Sequence, residues 1–237
     1  MLDAQHLLSI GIQEIRKFLY SEDFFEKHLY SLASPIKGTN PLSTEKGVLR
    51  FSPEPDVWVI PPNIERFFFI GSLFRDERID ALHAYEFTTA DIYFRGGGQA
   101  LLLEIFWKIL DVLAERKVIS NLNGLNVKEV EYCRFTPQEK VSEKEMWLLV
   151  THYPVEESFF DAMLDEQSTQ KSELFLMVPG FQPIEIASLG RVGANRNSLV
   201  QLEKPIPELS KYISEDLFGL CFGIERLMTA SKILKEM

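Results

Sequence analysis

The sequence predicts an α+β domain built on an antiparallel β-sheet. Three observations carry that expectation. Apolar runs of strand length follow one another with only turns and polar loops between them, at 66–74 and 86–94, 127–135 and 146–152, and 174–178 and 183–188. The segments with helical periodicity, 5–20, 99–117 and 223–236, stand apart from those runs instead of alternating with them. The chain has 237 residues, 46% of them hydrophobic, enough to bury one sizeable core. It reads as a single domain spanning 1–237.

The elements follow in order. Leu7, Leu8, Ile12, Ile15, Phe18 and Leu19 recur at helical spacing with charges between them, so 5–20 forms a helix. A short strand at 24–29 is ended by Ser34-Pro35, and 37–47, rich in Gly, Thr, Asn, Pro and Ser, is loop. The apolar strand 66–74 runs into a charged stretch with one histidine, and a second strand opens at Glu86-Phe87. Gly96-Gly97-Gly98 breaks the chain before a long helix, where Leu101, Leu102, Ile105, Phe106, Ile109, Leu110 and Leu113 keep the period. Strands at 127–135 and 146–152 are joined by a polar turn containing Pro137. Residues 155–172 are acidic and polar and suit a flap; 190–197 is a Gly/Asn-rich loop; a last strand near 217–222 passes into the final helix.

The net charge is −10, which argues against general binding of nucleic acid, because neutralising phosphates takes clustered Lys and Arg. Cys133 and Cys221 form no CxxC pair and read as reduced, buried thiols of a cytosolic protein. The N-terminus lacks a basic region followed by an apolar run, and no apolar stretch approaches the ~20 residues of a membrane span. A cytoplasmic location without membrane contact is expected.

The chemistry concentrates in two segments. The strand–loop–strand at 66–94 can bring Arg75, Glu77, His83 and Phe87 to one place: a cation, an acceptor, a polar tip and a flat apolar face. Those are the parts needed to hold a nucleoside triphosphate in a bent pose. In the second segment, 218–227, Gly219 and Gly223 let a backbone approach a ligand closely. Arg226 falls in the first turn of the helix that Gly223 opens, where a guanidinium beside free N–H groups suits a phosphate. Taken singly, the second segment is equally a tight strand–helix junction with an exposed arginine.

Together the two segments resemble motifs 2 and 3 of the class II aminoacyl-tRNA synthetases. Phe74-Arg75-Asp76-Glu77 opens and His83-Ala84-Tyr85-Glu86-Phe87 closes a motif 2 loop, and Gly219, Phe222, Gly223, Arg226 and Leu227 match motif 3. Residues 12–35, with Pro35 as the closing proline, are similar to the dimer-forming motif 1. Trp147 through Pro154, Glu173-Leu174-Phe175, and Gly180 through Glu185-Ile186 resemble segments of the aspartate/asparagine/lysine subgroup. The resemblance implies an antiparallel catalytic sheet, a homodimer, and ATP and magnesium bound for the activation of an amino acid. It also implies roles. Arg75 holds the α-phosphate and Arg226 the γ-phosphate side; Phe87 stacks on adenine; Glu77 accepts from adenine or substrate; His83 contacts the terminal phosphates; Gly223 adjoins the nucleotide. Glu185, with Glu173, holds Mg2+. Asp91, four residues after Phe87, receives the substrate ammonium.

The pattern also departs from that family. The run from Ser52 to Trp58 lacks the lysine with which aspartate-type enzymes pair the substrate carboxylate. Arg191 stands six residues after Glu185, where the family has its carboxylate-reading arginine at about seven. Glu185-Ile186-Ala187-Ser188-Leu189-Gly190 is similar to a segment of ammonia-dependent asparagine synthetases. The chain begins at the catalytic core without an OB-fold anticodon module, so tRNA is not the expected acceptor. The expected activity is formation of an acyl-adenylate, with transfer to ammonia, a small amine, a carrier or a protein side chain. Two alternatives stand beside it. One is a non-catalytic paralogue that senses an amino acid or regulates a partner. The other is a truncated synthetase or tRNA-modifying enzyme, for which Arg191, Arg196, Lys204 and Lys211 are the candidate basic contacts.

Overall fold

A computed structural model of the chain describes residues 3–33, 40–57, 60–61, 63–136, 146–158, 161–193 and 216–236. Pro35, Pro137, Arg196, Lys204 and Lys211 lie outside the described residues.

Helix α1 (Ala4–Ser21) starts where Asp3 accepts a hydrogen bond from the His6 backbone N–H at 2.8 Å, an N-cap that satisfies one orphan donor of the first turn. Strand β1 (Phe25–Glu26) follows. Strands β2 (Leu32–Ala33), β3 (Ser43–Thr44) and β4 (Gly47–Leu49) form a small sheet in the order β2-β4-β3. The sequence reads part of that stretch as loop, because strands of two or three residues carry no measurable alternation. A single helical turn, α2 (Glu54–Val57), leads towards the main sheet.

Strands β5 (Arg66–Phe74) and β6 (Glu86–Arg95) pair antiparallel, and α3 (Gly98–Glu115) follows. Gly97, at φ 83°, turns the chain into α3; a Cβ there would lie 2.7 Å from the Leu101 side chain, so only glycine fits without a shift. The remaining elements are β7 (Val127–Glu131), β8 (Met146–Thr151), β9 (Lys171–Met177), β10 (Ile184–Arg191), β11 (Leu217–Gly223) and the last helix, α4 (Ile224–Glu236). Among the described residues the main sheet has eight strands in the order β1-β5-β6-β11-β10-β9-β8-β7.

The expected antiparallel pattern holds through the middle of this sheet. At both edges the pairing is parallel, β1 with β5 and β7 with β8, so the sheet is mixed and mostly antiparallel. The strand expected over 127–135 stops at Glu131 and gives way to a 3-10 turn, Tyr132–Arg134. Cys133 lies in that turn and is exposed, because the strand ends early, and Cys221 is half-buried, so the expectation of two buried thiols fails for the first and is met only in part for the second.

Strand alternation divides the sheet's two faces. Ala90, Ile92 and Phe94 of β6, with Leu220 and Phe222 of β11, pack against α1, α3 and α4 in one continuous apolar core. Phe106 of α3 is central to it: its ring lies 5.5 Å from Phe222, 5.9 Å from Trp147 and 5.3 Å from Trp107. The opposite face carries Thr89, Asp91 and Tyr93 of β6 and Gly219, Cys221 and Gly223 of β11. Among the described residues no helix is long and apolar enough to cross a membrane.

Candidate active site

On that opposite face, the end of β5, the loop at 75–85, β6, β10, β11 and the start of α4 enclose a cavity of about 210 Å³. Arg75, Glu77, His83, Phe87, Asp91, Glu185, Gly223 and Arg226 all line it. The antiparallel β5–β6 pair aims both ends of the loop at one spot, and β11 docks against β6 so that Gly223 stands opposite Thr89. Arg226 then projects from the first turn of α4 over the same cavity.

The loop is held by its own backbone and by Asp80. The Arg75 N–H donates to the Tyr85 carbonyl at 3.0 Å and closes the loop's base. Asp80 accepts from the Leu82 N–H at 2.7 Å and the His83 N–H at 3.0 Å, and its Oδ1 lies 2.8 Å from His83 Nδ1. Those bonds, the Leu82 N–H first, hold the Asp80 carboxyl below its ordinary range. His83 therefore enters the cavity with one ring nitrogen fixed. Arg75 lies over the Phe87 ring, 5.5 Å from its centroid, with Nη1 3.7 Å from Glu77 Oε1 and Nε donating to the Phe51 carbonyl at 3.4 Å. Arg226 donates through Nε to the Leu82 carbonyl and through Nη1 to the Glu185 carbonyl, both at 3.4 Å, and Nη1 is 3.7 Å from Glu185 Oε1. Both guanidinium groups are held by long, weak contacts, which an anionic ligand can outcompete.

Glu225 is a residue the sequence reading passed over. Its two oxygens accept from the Thr88 N–H at 3.0 and 2.9 Å, and Oε1 also accepts from the Thr88 hydroxyl at 2.7 Å. It fastens α4 to the start of β6 and so fixes where Arg226 stands relative to Phe87. Its place beside Arg226 inside the motif 3 run was the available signal. Glu54, read only as part of a run lacking lysine, also lines the cavity.

Arg191 and Glu173 are not brought to this cavity. Arg191 stands directly across from Phe218, whose ring stacks on Phe94 of the core, so it sits on the helix-covered face with Leu189. Its Nη2 is 2.8 Å from Asp216 Oδ1, and its buried Nε has no hydrogen-bond partner among the described residues. A β-bulge between Glu185 and Ala187 shifts the strand period, so spacing from Glu185 misjudges the face. Glu173 has both oxygens engaged: Oε1 lies 2.7 Å from Lys171 Nζ, and Oε2 accepts from the Tyr153 hydroxyl at 2.6 Å.

For magnesium, Glu185 fits and Glu173 as arranged does not. Mg2+ is commonly held by one or two carboxylates with phosphate oxygens completing the shell. Glu185 lines the cavity with its side chain 43% exposed, so its carboxylate is open to a cation there. Among the described residues no group of three or more His, Cys, Asp or Glu forms a metal cluster by itself.

Asp91 is almost wholly buried, 3% exposed, and its Oδ2 has no hydrogen-bond partner among the described residues. Burial, with a further push from Glu54, raises its carboxyl from an ordinary 3.8 to about 8, against the opposing pull of Thr89 and Arg75. The unfolded chain releases this proton near the ordinary value, whereas the folded chain keeps it until about 8. Asp91 thus destabilises the fold increasingly as pH rises between those values, and fully above the higher one. Asp91→Asn is expected to melt at a higher temperature than the parent above that window, with the gain vanishing at its acidic end. Melting curves across the window check this; a pH-independent difference would contradict it.

No family model matches the sequence, and a comparison with curated proteins finds no match. Solved structures do match. Asparaginyl-tRNA synthetase of Entamoeba histolytica superimposes with a TM-score of 0.73 at 17% identity, over 96% of this chain and 63% of that one. Asparaginyl-tRNA synthetase of Pyrococcus horikoshii, complexed with asparaginyl-adenylate, gives 0.73 at 14% identity, over 97% and 65%. Aspartyl-tRNA synthetase of Entamoeba histolytica gives 0.67 at 16% identity, over 98% and 56%. The chain therefore has the fold of the class II synthetase catalytic domain, and it spans under two thirds of the length of each of these enzymes.

Proposed function

We propose that this chain uses ATP to activate the carboxylate of an amino acid as its acyl-adenylate and passes the acyl group to an acceptor other than tRNA. The observation that supports this most is the convergence of Arg75 and Arg226, far apart in sequence, on one cavity that also holds Phe87 and Glu185. In the proposed reaction a carboxylate oxygen of the amino acid attacks the α-phosphorus. The P–O bond to the β-phosphate breaks, and pyrophosphate leaves with that electron pair. Arg75 neutralises charge growing on the α-phosphate oxygens, and Arg226 and His83 hold the departing phosphates. Phe87 offers its face to adenine, Glu77 accepts from the adenine amino group, and Gly223 leaves room beside the nucleotide. Glu185 would hold magnesium, which when bound supplies positive charge to the triphosphate. No side-chain nucleophile is needed, since the substrate brings its own.

The test is amino-acid-dependent exchange of pyrophosphate into ATP. Exchange supports the reading; its absence with every amino acid and related acid overturns it. Tight amino-acid binding in calorimetry without binding of magnesium-ATP would point instead to a sensor. The acceptor is ammonia, a small amine, a carrier or a protein side chain, because a net charge of −10 disfavours a polyanion. AMP release stimulated by tRNA and not by amines would overturn that part.

The chain is also proposed to act as a homodimer in the cytoplasm. Tyr20, Phe25, Tyr30 and Leu32 are 53, 53, 87 and 46% exposed and lie in or close in sequence to the short edge strand β1. An apolar sheet edge of this kind is normally covered. Light scattering is expected to give twice the chain mass; a monomer at micromolar concentration would contradict it.

A further inference from the structure

Among the residues lining the main cavity, Arg75, His83, Phe87 and Arg226 are taken up by the nucleotide in the proposed reaction, which leaves Ser52, Glu54, Asp91 and Cys221 for the acid. Cys221 stands directly across from Asp91 in the β6–β11 pair. Residues so placed have Cβ atoms about 4.5–5.5 Å apart on one face of the sheet. Asp91 Oδ2 is buried and has no hydrogen-bond partner among the described residues, so it is open to the ammonium of the acid. An amino acid held there has its Cα beside the Cys221 thiol. With the nucleotide filling the rest of the cavity, its side chain runs into that thiol almost at once.

Behind Cys221 lies a second cavity of about 20 Å³. Glu54 and Cys221 line both cavities, so these two side chains form the partition between them. Glu54 is pinned in place: the Ser52 hydroxyl donates to its Oε2 at 2.8 Å, and its own N–H donates to Ser52 Oγ at 3.3 Å. The far wall is equally fixed. Tyr93 stacks on Phe67 with ring centroids 5.3 Å apart, and a Cβ at Gly219 would lie 2.8 Å from the Tyr93 ring and 3.0 Å from Val192. A space of ~10–15 Å³ holds one water, so the back cavity by itself is no side-chain pocket. Cys221, a compact apolar wall, keeps a longer side chain from running on into it. Charge limits the acid as well. Arg75 and Arg226 are the only Lys or Arg lining either cavity among the described residues. A side-chain carboxylate would therefore face Glu54 and Asp91 without a cation of its own.

We infer that the acid activated at this site is a small neutral amino acid, with a side chain no larger than that of serine, and that Cys221, set beside Glu54, is the residue that fixes this limit. The inference rests on the adenylate-forming reading above and names its substrate class. Pyrophosphate exchange by the unmodified protein is measured with glycine, alanine, serine, norvaline, norleucine, aspartate, asparagine and lysine, and then with a wider set of acids. The best of glycine, alanine and serine is expected to exceed norvaline by at least ~10-fold in kcat/KM. Cys221→Ala takes the sulfur out of the partition and Cys221→Gly the whole side chain. Each is expected to raise the norvaline-to-alanine ratio of kcat/KM at least ~10-fold. A merely structural role would lower exchange with every acid alike and leave that ratio where it was. Near-UV circular dichroism verifies that both variants are folded. Preferred exchange by the unmodified protein with any acid larger than serine overturns this inference and leaves the adenylate reading intact. So does a ratio that rises by less than that in both variants. Exchange with no acid overturns both readings.

Discussion

Arg75→Ala is expected to reduce pyrophosphate exchange by ~10²–10³-fold or more while leaving the melting temperature nearly unchanged. The two halves of this expectation come from different observations. The Arg75 side chain is 43% exposed, and its contacts to Glu77 and the Phe51 carbonyl are long, so little folding energy is lost with it. Its direction into the cavity beside Phe87 places a fixed cation where the attacked phosphate lies in the proposed reaction. Arg75→Lys is expected to recover only part of the loss, because an ammonium cannot present two parallel donors to a phosphate. Exchange rates and thermal melts on the same preparations check both halves. Exchange within a few-fold of the parent would remove Arg75 from the proposed reaction.

The second large effect lies on the other face of the sheet. Phe106→Ala is expected to cost about 3–5 kcal/mol of stability. Phe106 is 0% exposed, and its ring touches Trp107 on its own helix, Trp147 on β8 and Phe222 on β11. Removing it leaves a void between three elements that cannot collapse together. Trp147 cannot swing into that space freely, because its indole N–H donates to the Leu122 carbonyl at 3.0 Å. Denaturant unfolding measures the change. A loss under ~1 kcal/mol would mean that the helix layer relaxes around the gap.

The long elements were legible from periodicity alone. The helices near 5–20 and 99–117 and the strands bounding the 75–85 loop keep their apolar spacing over enough residues to be read. The predicted convergence of Arg75, Glu77, His83 and Phe87 follows from a simpler rule, that a hairpin-like pair brings the two ends of its loop together. What could not be read depends on register or on distant partners. The bulge after Glu185 moved Arg191 to the helix-covered face, and nothing local marks a bulge there. The bidentate hold of Glu225 on Thr88 joins residues on different elements, and their separation hides it. The sequence reads Glu54 only within a run lacking lysine and Asp161 only within an acidic, polar stretch suited to a flap; the folded sheet draws both to one small cavity. The parallel edges escaped for a related reason, since β1 is two residues long and β7 is mostly exposed.

The strand order carries one more consequence. β11 sits between β6 and β10, so among the described strands it alone joins β1-β5-β6 to β10-β9-β8-β7. Its partners in β6 lie about 130 residues earlier, as in the Asp91–Cys221 pair. During synthesis the half-sheets emerge first and wait, each with an unzipped border, until 217–223 leaves the ribosome. High contact order of this kind slows folding and lengthens exposure to aggregation. The nascent chain is therefore expected to need chaperone shelter late in translation. The last strand to emerge closes the sheet and, in the same event, delivers the second arginine.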